Sequence, residues 1–185
     1  MGWIVLAIIA FVIVGLILAA AGIYNNLVAL RNNIDKAFAN IEVILKQRFD
    51  ELPKLIDTCK GYMTHEKTLL ENIVNARTKF LNSNSNEEKA GAENMVTAGL
   101  KTLFAVAENY PDLKANQNFL DLQNRISVLE ESIADRREFF NEAVTLYNTR
   151  IQSIPEVFFA ALLGFTSRTL LEIPKAETAD VKIQF

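Results

Sequence analysis

Residues Trp3 to Ile23 form a continuous segment with no charged and no strongly polar side chain. As an α-helix these residues would be about 31 Å long, which matches the roughly 30 Å hydrocarbon layer of a bilayer. Thirteen of them are Ile, Leu, Val or Phe. Each is worth roughly −0.3 to −0.6 kcal/mol on insertion, so the segment should favour lipid by about 5 kcal/mol. The sequence therefore predicts a transmembrane helix within residues 1–23.

The alternative is a cleaved secretory signal, with Ala19–Ala21 as its small-residue cleavage site. No Lys or Arg precedes the segment, however, and its apolar run is longer than that of a typical signal. Trp3 and Tyr24 bracket the segment at the depths where interfacial aromatic side chains lie. We therefore expect a retained single-pass anchor, in which the proposed lipid- or helix-contacting residues are Trp3, Phe11, Gly15, Ala19, Gly22 and Tyr24.

The orientation of the anchor follows from the basic residues beside it. Arg31 and Lys36 come soon after the segment, and only the α-amino group lies before it. Because Lys and Arg favour the cytoplasmic side, we expect the large C-terminal part to lie in the cytoplasm.

The composition beyond the anchor limits the possible classes of protein. About 160 residues remain, which suits one domain with a sizeable core. They carry 19 basic and 22 acidic residues, whereas a nucleic-acid-binding domain would be basic. The single cysteine excludes an intramolecular disulfide, and seven Gly and four Pro are few helix breakers. We expect an all-α domain that does not bind nucleic acid.

A helical stripe begins directly after the anchor. There is no Gly, Pro or turn pair between Ile23 and Leu27, so the helix should continue out of the membrane. Pro53 interrupts the stripe without changing its phase, which favours a kink in a helix from about 24 to 82 and leaves a chain reversal as the alternative. The stripe consists of Leu27, Leu30, Ile34, Phe38, Ile41, Leu45, Phe49, Leu52, Ile56, Cys59 and Met63.

Three further helices are predicted. Ser85 and Glu88 fit a capping box for a helix at 87–109. A heptad step then predicts a helix at 117–153, in which only Arg136 and Arg137 depart from the apolar pattern. Their charged ends can reach water at the edge of the bundle, and the alternative is that they fix its register. The helix at 87–109 should bury Met95, Leu100, Leu103, Phe104 and Ala107, and the helix at 117–153 should bury Phe119, Leu122, Ile126, Leu129, Ile133, Phe140, Val144, Tyr147 and Ile151, with Ile154 just beyond.

The last apolar run is Val157 to Phe165, in a predicted helix at 155–168 that precedes a tail at 169–185. It is too short to span a bilayer. We expect it to cover one end of the bundle, and insertion into a membrane interface is the alternative. Together these elements predict an up-and-down antiparallel helical bundle over 24–168.

Three stretches of this sequence resemble the LemA family of bacterial membrane proteins. They are YNNLVALRNNIDKAFANIEVILKQRFDELPKLIDTCKGYMTHE, AVAENYPDLKANQNFLDLQNRI and IADRREFFNEAVTLYNTRIQSIPEVFFAALLGF, in that order along the chain. The resemblance implies a single membrane helix followed by an up-and-down bundle in a bacterial cell membrane, and a molecular function that is poorly defined. Phe38 is one departure, since family members often carry Trp there.

A search for catalytic constellations gives no enzyme. His65 is the only histidine, so a two-histidine zinc helix cannot be built. We also expect no Ser-His-Asp set, since this one histidine would have to serve every role. Cys59 lies on the apolar stripe and is expected to be buried. Glu130, Glu131, Asp135 and Glu138 form an acidic run that we expect on a solvated helix face. We expect no cofactor and no metal.

The polar segment best suited to recognition joins the last two long helices. Loops between rigid helices often bind partners, and this one is rich in hydrogen-bonding side chains. The alternative is a structural turn that ends one helix and caps the next. The candidate partner-binding residues are Asn109, Tyr110, Pro111, Asp112, Lys114, Asn116 and Asn118.

Two functional hypotheses remain. In the first, the protein is a membrane-anchored scaffold that forms homo-oligomers or docks a partner protein at the membrane surface. Gly15, Ala19 and Gly22 lie on one face of the anchor and allow close helix approach. In the second, it is a signalling or enzyme-accessory component, with His65 as a modified residue or with catalysis supplied by a partner.

Overall fold

The computed structural model describes residues 2–83 and 85–171, and helices make up most of them. No strand occurs within these two ranges, so the chain is all-α as predicted. The helices are α1 (Gly2–Lys60), α2 (Lys67–Asn82), α3 (Asn86–Ala107), α4 (Pro111–Lys114), α5 (Gln117–Gln152) and α6 (Glu156–Leu163).

The described residues form two compact units. One unit, here called the anchor unit, contains residues 2–41 and 135–171, and therefore the first part of α1, the last part of α5 and α6. The other, here called the bundle unit, contains residues 42–134, and therefore the last part of α1, the helices α2 to α4 and the first part of α5.

Helix α1 passes from the apolar segment into the stripe without a break. Tyr24, Asn25 and Asn26 are helical, as expected from the absence of a breaker there. Leu27, in the next turn, is fully buried. The predicted stripe is confirmed by burial, since all its members are buried except Leu30 and Phe38, which are partly exposed.

Pro53 lies inside α1, and the chain does not reverse there. A proline has no N–H, so the carbonyl of Phe49, four residues earlier, loses its helical donor. The Nε of Arg77 on α2 donates to this carbonyl at 2.9 Å. The ring of Phe49 also stacks on the ring of Phe80 in α2, with the two ring centres 4.1 Å apart. A tertiary hydrogen bond thus replaces the one that Pro53 removes.

The predicted helix from 24 to 82 is corrected by a break at residues 61–66. Gly61, a poor helix former, directly follows the last residue of α1. Met63 is buried, and its N–H donates to the carbonyl of Cys59 at 2.8 Å. Since Met63 keeps the helical spacing from Cys59, the apolar stripe continues past the end of α1 and gives no sign of the break.

Helix α3 begins at the predicted cap and packs closely on α2. The side chain of Ser85 accepts a hydrogen bond from the N–H of Glu88 at 3.2 Å. This bond confirms the part of the predicted capping box in which the serine caps the helix. A Cβ placed on Gly99 would lie 2.7 Å from Cγ1 of Ile73, so only glycine fits between the two helices without a shift. The burial of Met95 was predicted wrongly: Met95 is exposed, and Val96 occupies the core position instead.

The end of the chain also differs from the prediction. Helix α6 ends at Leu163 and not at residue 168, because Gly164 adopts a left-handed φ of 74° and closes it. The segment 165–171 is non-helical and lies along α5 in the anchor unit. The side-chain amide of Asn148 bonds both the N–H and the carbonyl of Arg168, at 2.9 and 2.8 Å. Asn141 holds Leu171 in the same way, at 2.8 and 3.1 Å. The predicted tail beyond residue 171 lies outside the described residues.

Candidate functional site

The apolar part of α1 has no partner within the described residues. None of the most apolar window of α1 is buried, and Trp3 and Phe11 are 88% and 80% exposed. A soluble protein would bury such a helix in its core, because exposed apolar area of this size is costly in water. This helix is long and apolar enough to cross a membrane.

The small residues of the apolar segment share one open face. Gly15, Ala19 and Gly22 are exposed, and a Cβ on either glycine would meet no atom within 4 Å. The protein's own packing therefore does not require glycine at these positions. Space remains on this face for the close approach of another helix.

An aromatic contact marks the point where α1 leaves the apolar segment. The rings of Tyr24 and Phe165 lie 6.0 Å apart in an edge-on arrangement, and the guanidinium of Arg31 lies 5.8 Å from the centre of the Phe165 ring. The carbonyl of the next residue, Thr166, accepts a hydrogen bond from the hydroxyl of Tyr147 at 3.1 Å. The residues that follow α6 are thereby fixed at the end of the apolar segment.

Sequence reasoning missed a buried charge cluster in the bundle unit. Arg48 on α1 has no exposed surface, and its Nη1 donates to Glu130 on α5 at 2.6 Å and to Thr97 on α3 at 3.1 Å. Its Nη2 lies 3.4 Å from a carboxylate oxygen of Glu93, which is also buried. Glu130, which we expected on a solvated helix face, is partly exposed and pairs with the buried Arg48. Arg48 ties three helices together, and its position between Leu45 and Leu52 on the stripe was the available signal.

The predicted partner-binding loop contains a short helix and serves partly as a turn. Pro111 is the first residue of α4, and Leu113 within it is buried. The carboxamide of Asn116 accepts from the N–H of Phe119 at 3.1 Å and donates to the hydroxyl of Tyr62 at 3.0 Å. The remaining candidates differ in exposure: Tyr110 is partly buried, and the exposed ones are Asn109, Pro111, Asp112, Lys114, which pairs with Glu108, and Asn118.

No candidate metal site is found in the part of the chain that the structure describes. Within residues 2–83 and 85–171, no group of three or more His, Cys, Asp or Glu side chains could hold a metal ion. His65 is exposed and lies in the break at 61–66, not on a helix as we had expected.

Cys59 is buried, and this burial raises the pKa of its thiol from 9.0 to about 12. We expect Cys59 in the folded full-length protein to resist a maleimide reagent at pH 8, and to react once urea unfolds the bundle, because only a thiolate in contact with solvent attacks the reagent. The measurement is the labelled mass as a function of urea concentration. Rapid labelling without urea would contradict the burial.

The raised pKa also predicts how stability depends on pH. Below pH 9 the thiol is protonated in both the folded and the unfolded chain, so it has no effect on the difference between them. As the pH rises from 9 towards 12, the unfolded chain loses the proton first and the folded state is destabilised. A Cys59→Ala variant should lose less stability over this range than the native sequence.

These features define a membrane-associated protein built from α-helices, with an exposed apolar segment joined directly to a packed domain. The chain belongs to the LemA family, whose model matches residues 37–185 and thus begins within α1, beyond the apolar segment.

Individual relatives agree with this assignment. Protein LemA of Metamycoplasma hominis is 27% identical over 161 residues, which cover 85% of this chain and 72% of that protein. Magnetosome protein MamQ 2 of Paramagnetospirillum magneticum is 21% identical over 168 residues, which cover 77% of this chain and 62% of that protein. Magnetosome protein MamQ of Magnetospirillum gryphiswaldense is 29% identical over 75 residues, 40% of this chain and 28% of that protein. The chain thus spans less than two thirds of either MamQ protein.

Proposed function

We propose that this chain is a single-pass, membrane-anchored scaffold that associates with further copies of itself and holds partner proteins at the membrane surface. The observation that carries the proposal is the continuity of α1. Its exposed apolar residues pass without a helix break into buried stripe positions such as Leu27 and Ile34. Because no flexible linker intervenes, an association between anchors is transmitted directly to the helices that follow.

The proposed orientation has the packed helices in the cytoplasm. Arg31 and Lys36 are exposed and lie within four turns of Ile23, where basic residues favour the cytoplasmic side. Protease cleavage at the connection between α2 and α3 in sealed vesicles of known sidedness tests this orientation, because this connection lies outside the apolar segment.

Self-association is proposed to use the open face of the anchor. Helices in a bilayer gain little from the hydrophobic effect and associate where small side chains allow close packing. Gly15 and Gly22 are separated by two turns and have free space around them, and Ala19 lies between them on the same face. A second copy of α1 can approach along this face.

The experiment compares the same substitution on two opposite faces of the anchor. Ala19 and Ala10 are both exposed, and nine residues at 100° per residue place them on opposite sides of the helix. Full-length protein in the Cys59→Ala background receives a cysteine at Asn26, is labelled with donor and acceptor dyes, and is reconstituted in lipid vesicles. Energy transfer between the two dyes is measured as the ratio of protein to lipid in the vesicles is lowered.

Ala19→Leu should raise the dissociation constant by roughly tenfold, the effect of about 1.4 kcal/mol expected for a contact between membrane helices. Ala10→Leu should leave it unchanged. Equal effects of the two variants would reject this face. If energy transfer between copies with the native anchor vanishes at modest dilution in lipid, self-association is rejected. Partner docking would then have to be tested by crosslinking in intact membranes.

A further inference from the structure

The surface of α6 is apolar to an unusual degree for a helix outside a membrane span. Phe158 is 70% exposed and Leu162 82%, and their spacing of four residues places them on one face of the helix. Ile154, in the turn just before α6, is 79% exposed. A contiguous exposed face of this kind normally marks an interaction site. We refer to the exposed face that carries Phe158 and Leu162 as the α6 face.

Charge is absent from this face because the one charged residue of α6 turns inward. Within Glu156–Leu163, which the structure describes in full, Glu156 is the only charged residue, and it is buried. A carboxylate oxygen of Glu156 pairs with Arg150 on α5 at 3.2 Å. The α6 face can therefore enter an apolar medium without carrying a charge with it.

The position of α6 in the anchor unit indicates what this medium is. Phe165, the second residue after α6, contacts Tyr24, and Tyr24 is the aromatic residue that follows the apolar segment. Since α6 contains eight residues, its whole length is about 12 Å, so no part of it lies far from this contact. Helix α6 therefore lies close to the end of the apolar segment.

We propose that α6 is an interfacial helix whose exposed face lies at the boundary between headgroups and acyl chains of the bilayer that holds α1. This proposal rests on the proposed membrane anchorage. Tyr24 and Phe165 supply the aromatic pair that favours this depth. Arg31, which lies over the Phe165 ring, and Arg168, three residues after Phe165, are both exposed and can meet the phosphate groups of lipids.

The test uses tryptophan emission and lipids with brominated acyl chains, which quench a tryptophan only on contact. The sequence has one tryptophan, Trp3, so the native chain reports insertion of the anchor itself. The test variant is Trp3→Phe with Phe158→Trp. The matched control is Trp3→Phe with Phe139→Trp, since Phe139 is also half exposed but lies about 20 Å along α5 from its C-terminal end. All proteins are full-length, in vesicles of phosphatidylcholine and phosphatidylglycerol.

Trp3 in the native chain and the tryptophan at position 158 should both lose emission in brominated vesicles, and the tryptophan at position 139 should not. Quenching of Trp3 without quenching at position 158 would overturn the α6 proposal and leave anchorage intact. Blue-shifted but unquenched emission at position 158 would also overturn it, because another protein surface would then cover the face. If Trp3 itself is not quenched, anchorage fails and the α6 proposal fails with it. Circular dichroism spectra of both variants should match that of the native protein, because positions 158 and 139 are exposed.

Discussion

Replacement of both Ile13 and Ile17 by Arg is expected to release the full-length protein from the membrane. Each arginine near the centre of a spanning helix costs about 2.5 to 3.5 kcal/mol, so two of them cancel the roughly 5 kcal/mol that favours insertion of the native segment. Both residues are exposed and four positions apart, so the packing of the remaining helices should not change. The measurement is the fraction of protein that stays in the membrane pellet after extraction at alkaline pH.

The matched control is Ile13→Leu with Ile17→Leu, which keeps the segment apolar and should remain in the pellet as the native chain does. Ile17 and Ile13 lie about 160° around the helix from Gly15, so the arginines also leave the proposed association face untouched. Retention of the arginine variant in the pellet would mean that other parts of the chain, α6 among them, hold the protein on the bilayer. Release of the native chain under the same conditions would contradict anchorage.

The second large effect is expected at the buried charge cluster. Arg48→Met should lower the free energy of unfolding by about 3 to 5 kcal/mol, because it removes a fully buried guanidinium from an ion-pair cluster in which Glu93 is also buried. Glu93 would keep its charge in the interior without the guanidinium 3.4 Å away, and Glu130 would lose its 2.6 Å bond. Unfolding of the full-length protein in detergent micelles, followed by circular dichroism during urea titration, measures the loss.

Arg125→Met provides the comparison for this experiment. Arg125 is more than half exposed and lies 3.6 Å from Glu51, so its loss should cost about 1 kcal/mol or less. Adding Glu93→Gln to Arg48→Met should recover part of the stability, because an uncharged amide is less costly to bury than a carboxylate. Equal losses for Arg48→Met and Arg125→Met would show that the cluster does not tie the helices together.

Local patterns predicted those elements whose burial follows a single helical period. Most positions of the stripe from Leu27 to Met63 and most heptad positions of α5 are buried, because one face of each helix packs on others. Spacing along the chain reports that face directly. The cap at Ser85 was predictable for the same local reason, since a cap involves residues three positions apart.

The wrong predictions concern residues whose apolar spacing fits a helix but whose backbone conformation or packing differs from that of a buried helical residue. Met63 has the spacing of a helical residue, although the helix has already ended at Lys60. Met95 and Val96 are neighbours of similar character, so composition alone did not decide which of them faces the core. The predicted helix at 155–168 was too long because Gly164 takes the left-handed conformation that ends α6.

For the candidate site, the sequence correctly located the apolar segment, while the roles proposed for its small residues and for the loop at 109–118 stay predictions. Arg48, a charged residue among the apolar positions of the stripe, signals a buried charge that needs a partner. The sequence did not identify the partners, because they are contributed by helices separated from Arg48 by dozens of residues.

The sequence by itself determined an uncharged span of hydrocarbon length and the apolar faces of the long helices, because hydrophobic burial is proportional to area and repeats with the helical period. Only the tertiary structure decided that Arg48 is enclosed by Thr97, Glu93 and Glu130, and that Phe165 lies against Tyr24. Hydrogen bonds and ring contacts of this kind require atoms within a few ångströms of one another. Distance along the chain does not specify that proximity, so it appears only when the helices are packed.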